Sequence, residues 1–381
     1  MGAKSHSSSS AVEVVGNILP FAIRKRELCC REYIRIISER KSHPIVQLLN
    51  CTVRVGMKFC PLEYICVMSR QLQRQLEDCI LQDVQGIQGA RLSNRIVSVD
   101  SVDQNISQMD KGNSQMVIFT DGSVYGHPVG CGACAAVCRF WKDDENDYRI
   151  KTKVVGNKVS SDRCEIEGIM LGIEMAIEIT DECKSVGFVN NVHIMCDSQS
   201  AISAFTVQNE LNKYSEIHQR LVSVNDKLKE RTLLIKLVKI SGHSGIRGNE
   251  LADQKAKEVA LDISKGRVKA PRVISISDAR KVSTDIAMKS WQRKWNEESK
   301  GRYTYELIPV VGTKVLWPRT RDIGISYCRM LLHDTMLNDD SYRTGTAETP
   351  VCDCGQDNET VSHYFYTAAD ISTPYNVFMI Q

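Results

Sequence analysis

The 381-residue sequence predicts an α/β fold flanked by helical segments. Two observations carry that reading. The apolar, β-branched runs MVIFT (116–120) and VHIMC (192–196) read as strands, and an aspartate follows each at once. Stretches of helical periodicity alternate with them over about one domain length, the pattern of helices packed on a sheet.

In chain order, the first element is RKRELCCREYIRIISERK (24–41). Its seven basic residues, with Cys30, Tyr33, Ile34 and Ile37 at helical spacing, read as an amphipathic helix with a positive face. Its two alternatives are an ordinary solvated helix and a phosphate-contacting one. MVIFT then delivers Asp121, and Gly122 lets the chain turn after it. GCGACAAVC (130–138) reads as a strand. The spacing of Cys131 and Cys134 suggests a metal pair, but strand residues three apart face opposite sides, so these cysteines are read as small packing residues. CEIEGIMLGIEMAIE (164–178) sets Ile166, Ile169, Ile173 and Ile177 on one helical face and places Glu165 in the first turn. VHIMC delivers Asp197, and SQSAISAF after it has the spacing of a short helix. Only a few residues separate its end near Phe205 from a helix starting near Leu211. GNELADQKAKEVA (248–260) is a helix whose Leu251, Ala252 and Ala256 can face the sheet while Asp253 points to its upper edge. KGRVKAPR (265–272) reads as a basic linker.

Composition sets bounds on class. Apolar residues make up 42% of the chain, ample for packed cores, and 381 residues suggest two or three domains. No apolar run approaches ~18 residues and the first residues lack a signal peptide's apolar core, so a soluble chain with no membrane partner is expected. MGAKSH carries the glycine of a myristoylation site but His6 where Ser or Thr belongs. Fifteen scattered cysteines fit a reducing, intracellular setting. Residues 116–260 hold 18 Lys and Arg against 20 Asp and Glu, whereas residues 1–115 hold 15 against 11, so the flank is the basic part.

The chemistry lies in Asp121, Glu165, Asp197 and Asp253. Asp-Gly is a common turn, Asp-Ser a common helix cap, and a lone glutamate an ordinary solvated residue. Four acids delivered in the order strand, helix, strand, helix need more explanation. Two divalent ions roughly 3.5–4 Å apart clamp the attacking water and the leaving oxygen of a phosphodiester, and such a pair needs anionic oxygens converging from several elements.

The segment from roughly Gln115 to Ile263 resembles the type I ribonuclease H domain, in the version carried by non-LTR retrotransposon polyproteins. The resemblance rests on DGS (121–123), CE (164–165), DSQSA from Asp197, and GHSGIRGNELAD (242–253). It implies a mixed five-stranded sheet with helices on both faces. It also implies two Mg2+ ions, with Mn2+ as a substitute, held by Asp121, Glu165, Asp197 and Asp253. His243 then assists turnover from the loop before the last helix, and the RNA strand of an RNA–DNA hybrid is cut. Water would be activated between Asp121 and Asp253, and the leaving ribose oxygen stabilised near Asp121, Glu165 and Asp197. Hybrid recognition must read the 2′-hydroxyl and groove width, for which Ser123, Ser160, Ser161, Ser198 and Asn249 are short polar candidates. The short 205–211 connection leaves no room for the extra basic helix of some cellular relatives.

The flanks resemble the same polyproteins. Residues 1–114 are read as a helical remnant of the reverse-transcriptase region after the palm, 115–263 as the nuclease domain, 264–290 as a basic linker and helix, and 291–381 as the polyprotein tail. Asp143 with Asp144 and Asp339 with Asp340 lack the surroundings of polymerase aspartates, so no polymerase activity is expected. Cys352, Cys354 and His363 match three ligands of the family's tail cluster. A fourth cysteine is lacking where Tyr366, Thr367 and Ala368 stand, with Asp370 as a possible substitute, so no zinc site is expected. The reading is an RNA–DNA hybrid nuclease that also touches nucleic acid through its basic flanks. A catalytically silent nucleic-acid-binding remnant is the first alternative. A transposase or integrase on the same sheet is the second, disfavoured because such enzymes generally place a glutamate on the last catalytic helix.

Overall fold

The structure, a computed structural model, describes residues 3, 7–38, 43–55, 61–76, 79–81, 95–99, 115–139, 148–182, 191–207, 215–242 and 245–366. Helices α1 (Ser9–Val15), α2 (Phe21–Ile37), α3 (Pro44–Val55), α4 (Pro61–Met68) and α5 (Arg70–Leu76) lead to strands β1 (Ile80–Leu81) and β2 (Ile96–Val99). There follow β3 (Gln115–Tyr125), β4 (Gly130–Arg139), β5 (Tyr148–Val159), α6 (Ser161–Glu182), β6 (Asn191–Cys196), α7 (Gln199–Thr206), α8 (Ser215–Glu230), β7 (Leu234–Lys239) and α9 (Arg247–Ser264). β8 (Val273–Ile274), α10 (Ile276–Glu297), α11 (Arg302–Leu307), α12 (Arg321–Leu331), α13 (Asn338–Arg343) and α14 (Val361–Tyr366) complete the order. The chain divides into two compact units, Leu28–Asp285 and a second made of Met1–Glu27 with Ile286–Gln381. Among the described residues no helix is long and apolar enough to cross a membrane.

The larger unit holds a mixed sheet in the order β2-β7-β6-β3-β4-β5. β3, β4 and β5 form an antiparallel meander, while β6, β7 and β2 run parallel beside β3. The sheet therefore has six strands where five were expected. The sixth is Ile96–Val99, which lies in the stretch read as helical, pairs with β7 through Ile96↔Ile235 and extends the edge. Four residues with one buried position carry too little periodicity to announce a strand.

Period-two alternation divides β3 between the two faces. Met116 and Ile118 join the core under α6, α7 and α8, with Ile169, Ile173, Phe205 and Leu221. Val117 and Phe119 join the opposite core under α9, with Ala135, Met195, Ala252 and Ala256. Helices thus cover both faces, as the sequence reading expected. β4, buried on both sides, is built of small residues. Cys134 packs in the α6-side core and Cys131 against Ala133 and the α9 residues Ala260 and Ile263, so the two cysteines do face apart. In α6 the four isoleucines at helical spacing are all buried.

The stretch read as a basic linker is packed rather than free. Val268 and Ala270 sit against Ala133, Ala260 and Ile263, while Arg267 and Lys269 remain exposed. β8 then pairs in parallel with β1, joining Ile80 to Val273. Farther upstream, Ile36, Val46, Leu49 and Leu62 form a small helical core.

In the second unit, Ala11, Val14 and Val15 of α1 pack with Trp291, Trp295, Ile308, Val311, Cys328 and Leu332. Trp295 is almost wholly buried, and its indole N–H donates to the Ile308 carbonyl at 2.9 Å, which satisfies the one polar atom it buries.

α9 begins where Gly248 meets the Phe119 ring so closely that a Cβ would collide with it. Gly248→Ala is expected to cost about 1–3 kcal/mol through overpacking, a fall of roughly 3–10 °C in Tm. Thermal denaturation checks this, and an unchanged Tm would mean that α9 does not start against Phe119.

Candidate active site

Each of the four acids reaches the same end of the sheet for a local reason. Asp121 follows the last β3 residue that pairs with β6, Thr120 opposite Cys196, so it lies where the parallel ladder stops. Asp197 lies at the corresponding place one residue past β6. Glu165 is brought in by close helix–strand contact. A Cβ on Gly122 would collide with the Cys164–Glu165 peptide, and one on Gly168 would stand 3.2 Å from the Asp121 carbonyl oxygen. Asp253 comes from α9, on the face of the sheet to which Phe119 points.

One cleft is lined by all four carboxylates together with Ser123, Ser161 and Asn249. Oxygens of Glu165 and Asp197 and the Cys196 sulfur lie within 4.8 Å of one another. Lys239 Nζ donates to the main-chain carbonyl of Asp197 and, at 2.9 Å, to that of Ile240, fixing the end of β6 to the end of β7. The loop after β7 passes Asp197 closely, since a Cβ on Gly242 would stand 2.9 Å from its Oδ2.

Crowding these charges disturbs their protons. Burial, then the Asp197 and Asp253 charges, and a hydrogen bond shared with Asp253 push the Asp121 carboxyl up to about 7, against a smaller opposing effect of the Gly122 N–H. Burial, then Asp121 and Asp197, push Glu165 up to about 9. Burial also raises the Cys196 thiol, which holds the sulfur in its neutral form. The cleft thus offers hard oxygen donors in excess of the charge it can hold unaided, a donor set that fits divalent cations of the magnesium type. A built-in cation already sits there. Lys257 Nζ ion-pairs with Asp253 Oδ2 at 2.7 Å, one helical turn away.

The polar candidates divide. Ser123, Ser161 and Asn249 line the cleft. Asn249 is 5% exposed and its Oδ1 has no hydrogen-bond partner among the described residues. Ser198 instead caps α7, accepting from the Ala201 N–H at 3.3 Å. Ser160 is 2% exposed and does not line the cleft. His243, Asp143, Asp144, Thr367, Ala368, Asp370 and the stretch 208–214 around Leu211 lie outside the described residues. Cys352, Cys354 and His363 do come together, with Cys354 Sγ 3.1 Å from His363 Nε2. Sequence reasoning missed Lys257, Lys239 and the glycine face of α6. The four-residue spacing from Asp253 to Lys257 on a helix was a usable signal, but nothing local marked the others.

Residues 113–261 match the family model described as RNase H. Over 93 residues the chain is 30% identical to a retrovirus-related Pol polyprotein from the type-1 retrotransposable element R1 of Bradysia coprophila, covering 24% of this chain. The chain spans only 9% of that relative's length. Among solved structures, LC11-RNase H1, isolated from compost by a metagenomic approach, is 15% identical with a TM-score of 0.30, over 40% of this chain and 99% of its own. RNase H1 from the halophilic archaeon Halobacterium salinarum NRC-1 is 18% identical with a TM-score of 0.27, over 39% and 98%. Residues 113–261 of the chain thus carry an RNase H-type domain.

The raised carboxyls give a stability test. Both groups bind protons more tightly in the folded chain than in the unfolded one, so their contribution is full at low pH and is lost as pH rises toward 9. In EDTA, Tm is expected to fall between pH 5 and pH 9. Asp197→Asn, which removes a charge acting on both, should flatten that fall and stabilise the chain at pH 8 by about 1–2 kcal/mol. Parallel melting curves for the two proteins would refute the repulsion.

Proposed function

We propose that this chain is an endonuclease that hydrolyses the RNA strand of RNA–DNA hybrids by two-metal-ion catalysis. The observation that carries the reading is the convergence of Asp121, Glu165, Asp197 and Asp253 in one cleft, within a segment matched by the RNase H family model. Asp121, Glu165, Asp197 and Asp253 are the residues that would hold the cations, Mg2+ with Mn2+ as a substitute. When bound, those ions would activate the attacking water and neutralise charge on the leaving ribose oxygen.

The chain's own groups supply the rest. Asp121 shares a hydrogen bond with Asp253 and its charge acts on Glu165, so one carboxylate can serve both halves of the site. Asn249, Ser123 and Ser161 face the same cleft and present the short polar groups that distinguish a ribose 2′-hydroxyl from hydrogen. His243, next in the chain after Gly242, is assigned proton transfer or loosening of product. Phosphate contact beyond the cleft is assigned to the basic flanks, where Lys25, Arg26, Arg31 and Arg35 of α2 are exposed. The flanking segments are proposed to be a reverse-transcriptase remnant before the nuclease domain and a polyprotein tail after it.

The experiment is cleavage of a labelled RNA–DNA hybrid in Mg2+, with duplex RNA and duplex DNA as controls. Cutting confined to the hybrid's RNA strand is expected, and Asp197→Asn should lower kcat by more than about a hundredfold, since a misheld ion forfeits several kcal/mol. The Mg2+ concentration giving half-maximal rate should fall as pH rises from 6 to 9, because cations must displace the protons on Asp121 and Glu165. A folded protein that binds the hybrid and leaves its RNA intact would establish a silent nucleic-acid-binding remnant instead.

A further inference from the structure

The start of α6 is not capped by its own sequence. Ser160, the residue before the helix, has a hydroxyl suited to capping, yet its Oγ is buried with no hydrogen-bond partner among the described residues. The Ser160 carbonyl accepts the Cys164 N–H at 3.2 Å, so this peptide is the base on which the first turn is built. What holds it comes from more than a hundred residues downstream. Asp278, in the first turn of α10 and fully buried, accepts the Ser160 backbone N–H on Oδ1 at 3.2 Å. Its Oδ2 accepts from Ser275 Oγ at 2.8 Å, and its own N–H donates back to that hydroxyl at 3.0 Å. Three residues on, Lys281 Nζ ion-pairs with Asp162 Oδ2 at 2.5 Å. The starts of α6 and α10, within their first two turns, are therefore tied at two points, one buried and one half-exposed.

The same turn of α6 also carries the glycine contact with β3. Gly122 presses on the Cys164–Glu165 peptide from the strand side, and Asp278 holds the same turn by its base. A carboxylate enclosed without solvent is tolerated only where donors engage it, and here each of its oxygens has one. We propose that Asp278 is a positioning residue for Glu165, and that the catalytic unit extends through the first turn of α10, past residue 261 where the RNase H match ends. The inference rests on the reading of the four carboxylates as a cation site. It concerns a residue that touches neither cation nor substrate and acts by fixing where Glu165 stands.

The test uses the full chain with Mn2+ alone as the probe, followed by calorimetry, beside amide hydrogen exchange at Cys164 and Glu165. Asp278→Ala is expected to weaken Mn2+ binding roughly tenfold, the usual scale for groups that orient a ligand, and to speed exchange at both amides. Asp278→Asn keeps an acceptor for the Ser160 N–H and should stay within about threefold of wild type. Ile177→Ala, which opens a cavity near the far end of the same helix, controls for destabilisation and should change neither readout. The proposal is overturned if Asp278→Ala matches Ile177→Ala in both. If wild type takes up no Mn2+, the cation reading has failed, and unchanged exchange in Asp278→Ala would separately sink the clamp. Should Asp278→Ala not fold, Lys281→Met cuts the half-exposed tie. About threefold weaker Mn2+ binding with faster exchange is then expected, and wild-type values for both would overturn the proposal.

Discussion

The spacing between β3 and the first two turns of α6 governs the cleft. Gly122 on the strand and Gly168 on the helix allow backbone to meet backbone, and Gly172 continues the seam against the Thr120 methyl. With any side chain at Gly122 the Cys164–Glu165 peptide would have to retreat. Its retreat would carry Glu165 away from Asp121 and relax both the burial and the repulsion that raise the two carboxyls. The electrostatic character of the site is therefore a packing result: helix and strand are close because side chains are absent, and the carboxylates are coupled because helix and strand are close.

That coupling sets folding against function. Burying Glu165 and Asp121 among like charges destabilises the native chain at neutral and higher pH, and nothing in the hydrophobic packing requires acids there. The two cores on either face of the sheet supply the surplus that tolerates it, since both are continuous and built mainly of aliphatic residues in full contact. The cleft itself contains one partial compensation, the Lys257–Asp253 pair, which is open to solvent and so neutralises Asp253 only weakly. A bound cation would compensate far more, and its affinity is linked to proton release from the same carboxyls.

How much of this could be read in the sequence follows from the range of each interaction. The four acids were legible because each is announced within a few residues, by an apolar run before it or helical spacing after it. Opposite-facing Cys131 and Cys134 were legible because alternation in a strand is a local rule. The sixth strand was not, because among the described strands Ile96–Val99 pairs with β7 alone, far away in the chain. Ser160 looked like a substrate contact because it stands beside acids in the chain, whereas its burial depends on α10, which the sequence reading placed in a separate linker and helix. Nothing local marks Gly168 and Gly172, and their use shows only once β3 is laid across them.

The stretch 265–275 shows how one segment satisfies two demands that seem opposed. β5 lies at the margin of the sheet, and a twelve-residue edge strand exposes unpaired main-chain groups that invite pairing with another chain. The chain leaving α9 answers by running against that strand. A Cβ on Gly156 would stand 3.6 Å from the Pro271 carbonyl oxygen and 3.8 Å from that of Val273. To pack there the segment needs apolar side chains on one side, which Val268 and Ala270 provide. To remain soluble it needs charge on the other, which Arg267, Lys269 and Arg272 provide. Its alternating pattern is thus that of an edge cover, and its basic content, which alone suggests a free linker, is the outward half of that pattern. Because the same segment delivers Ser275 and Asp278 to the base of α6, covering the edge and anchoring the start of the Glu165 helix are done by one continuous piece of chain.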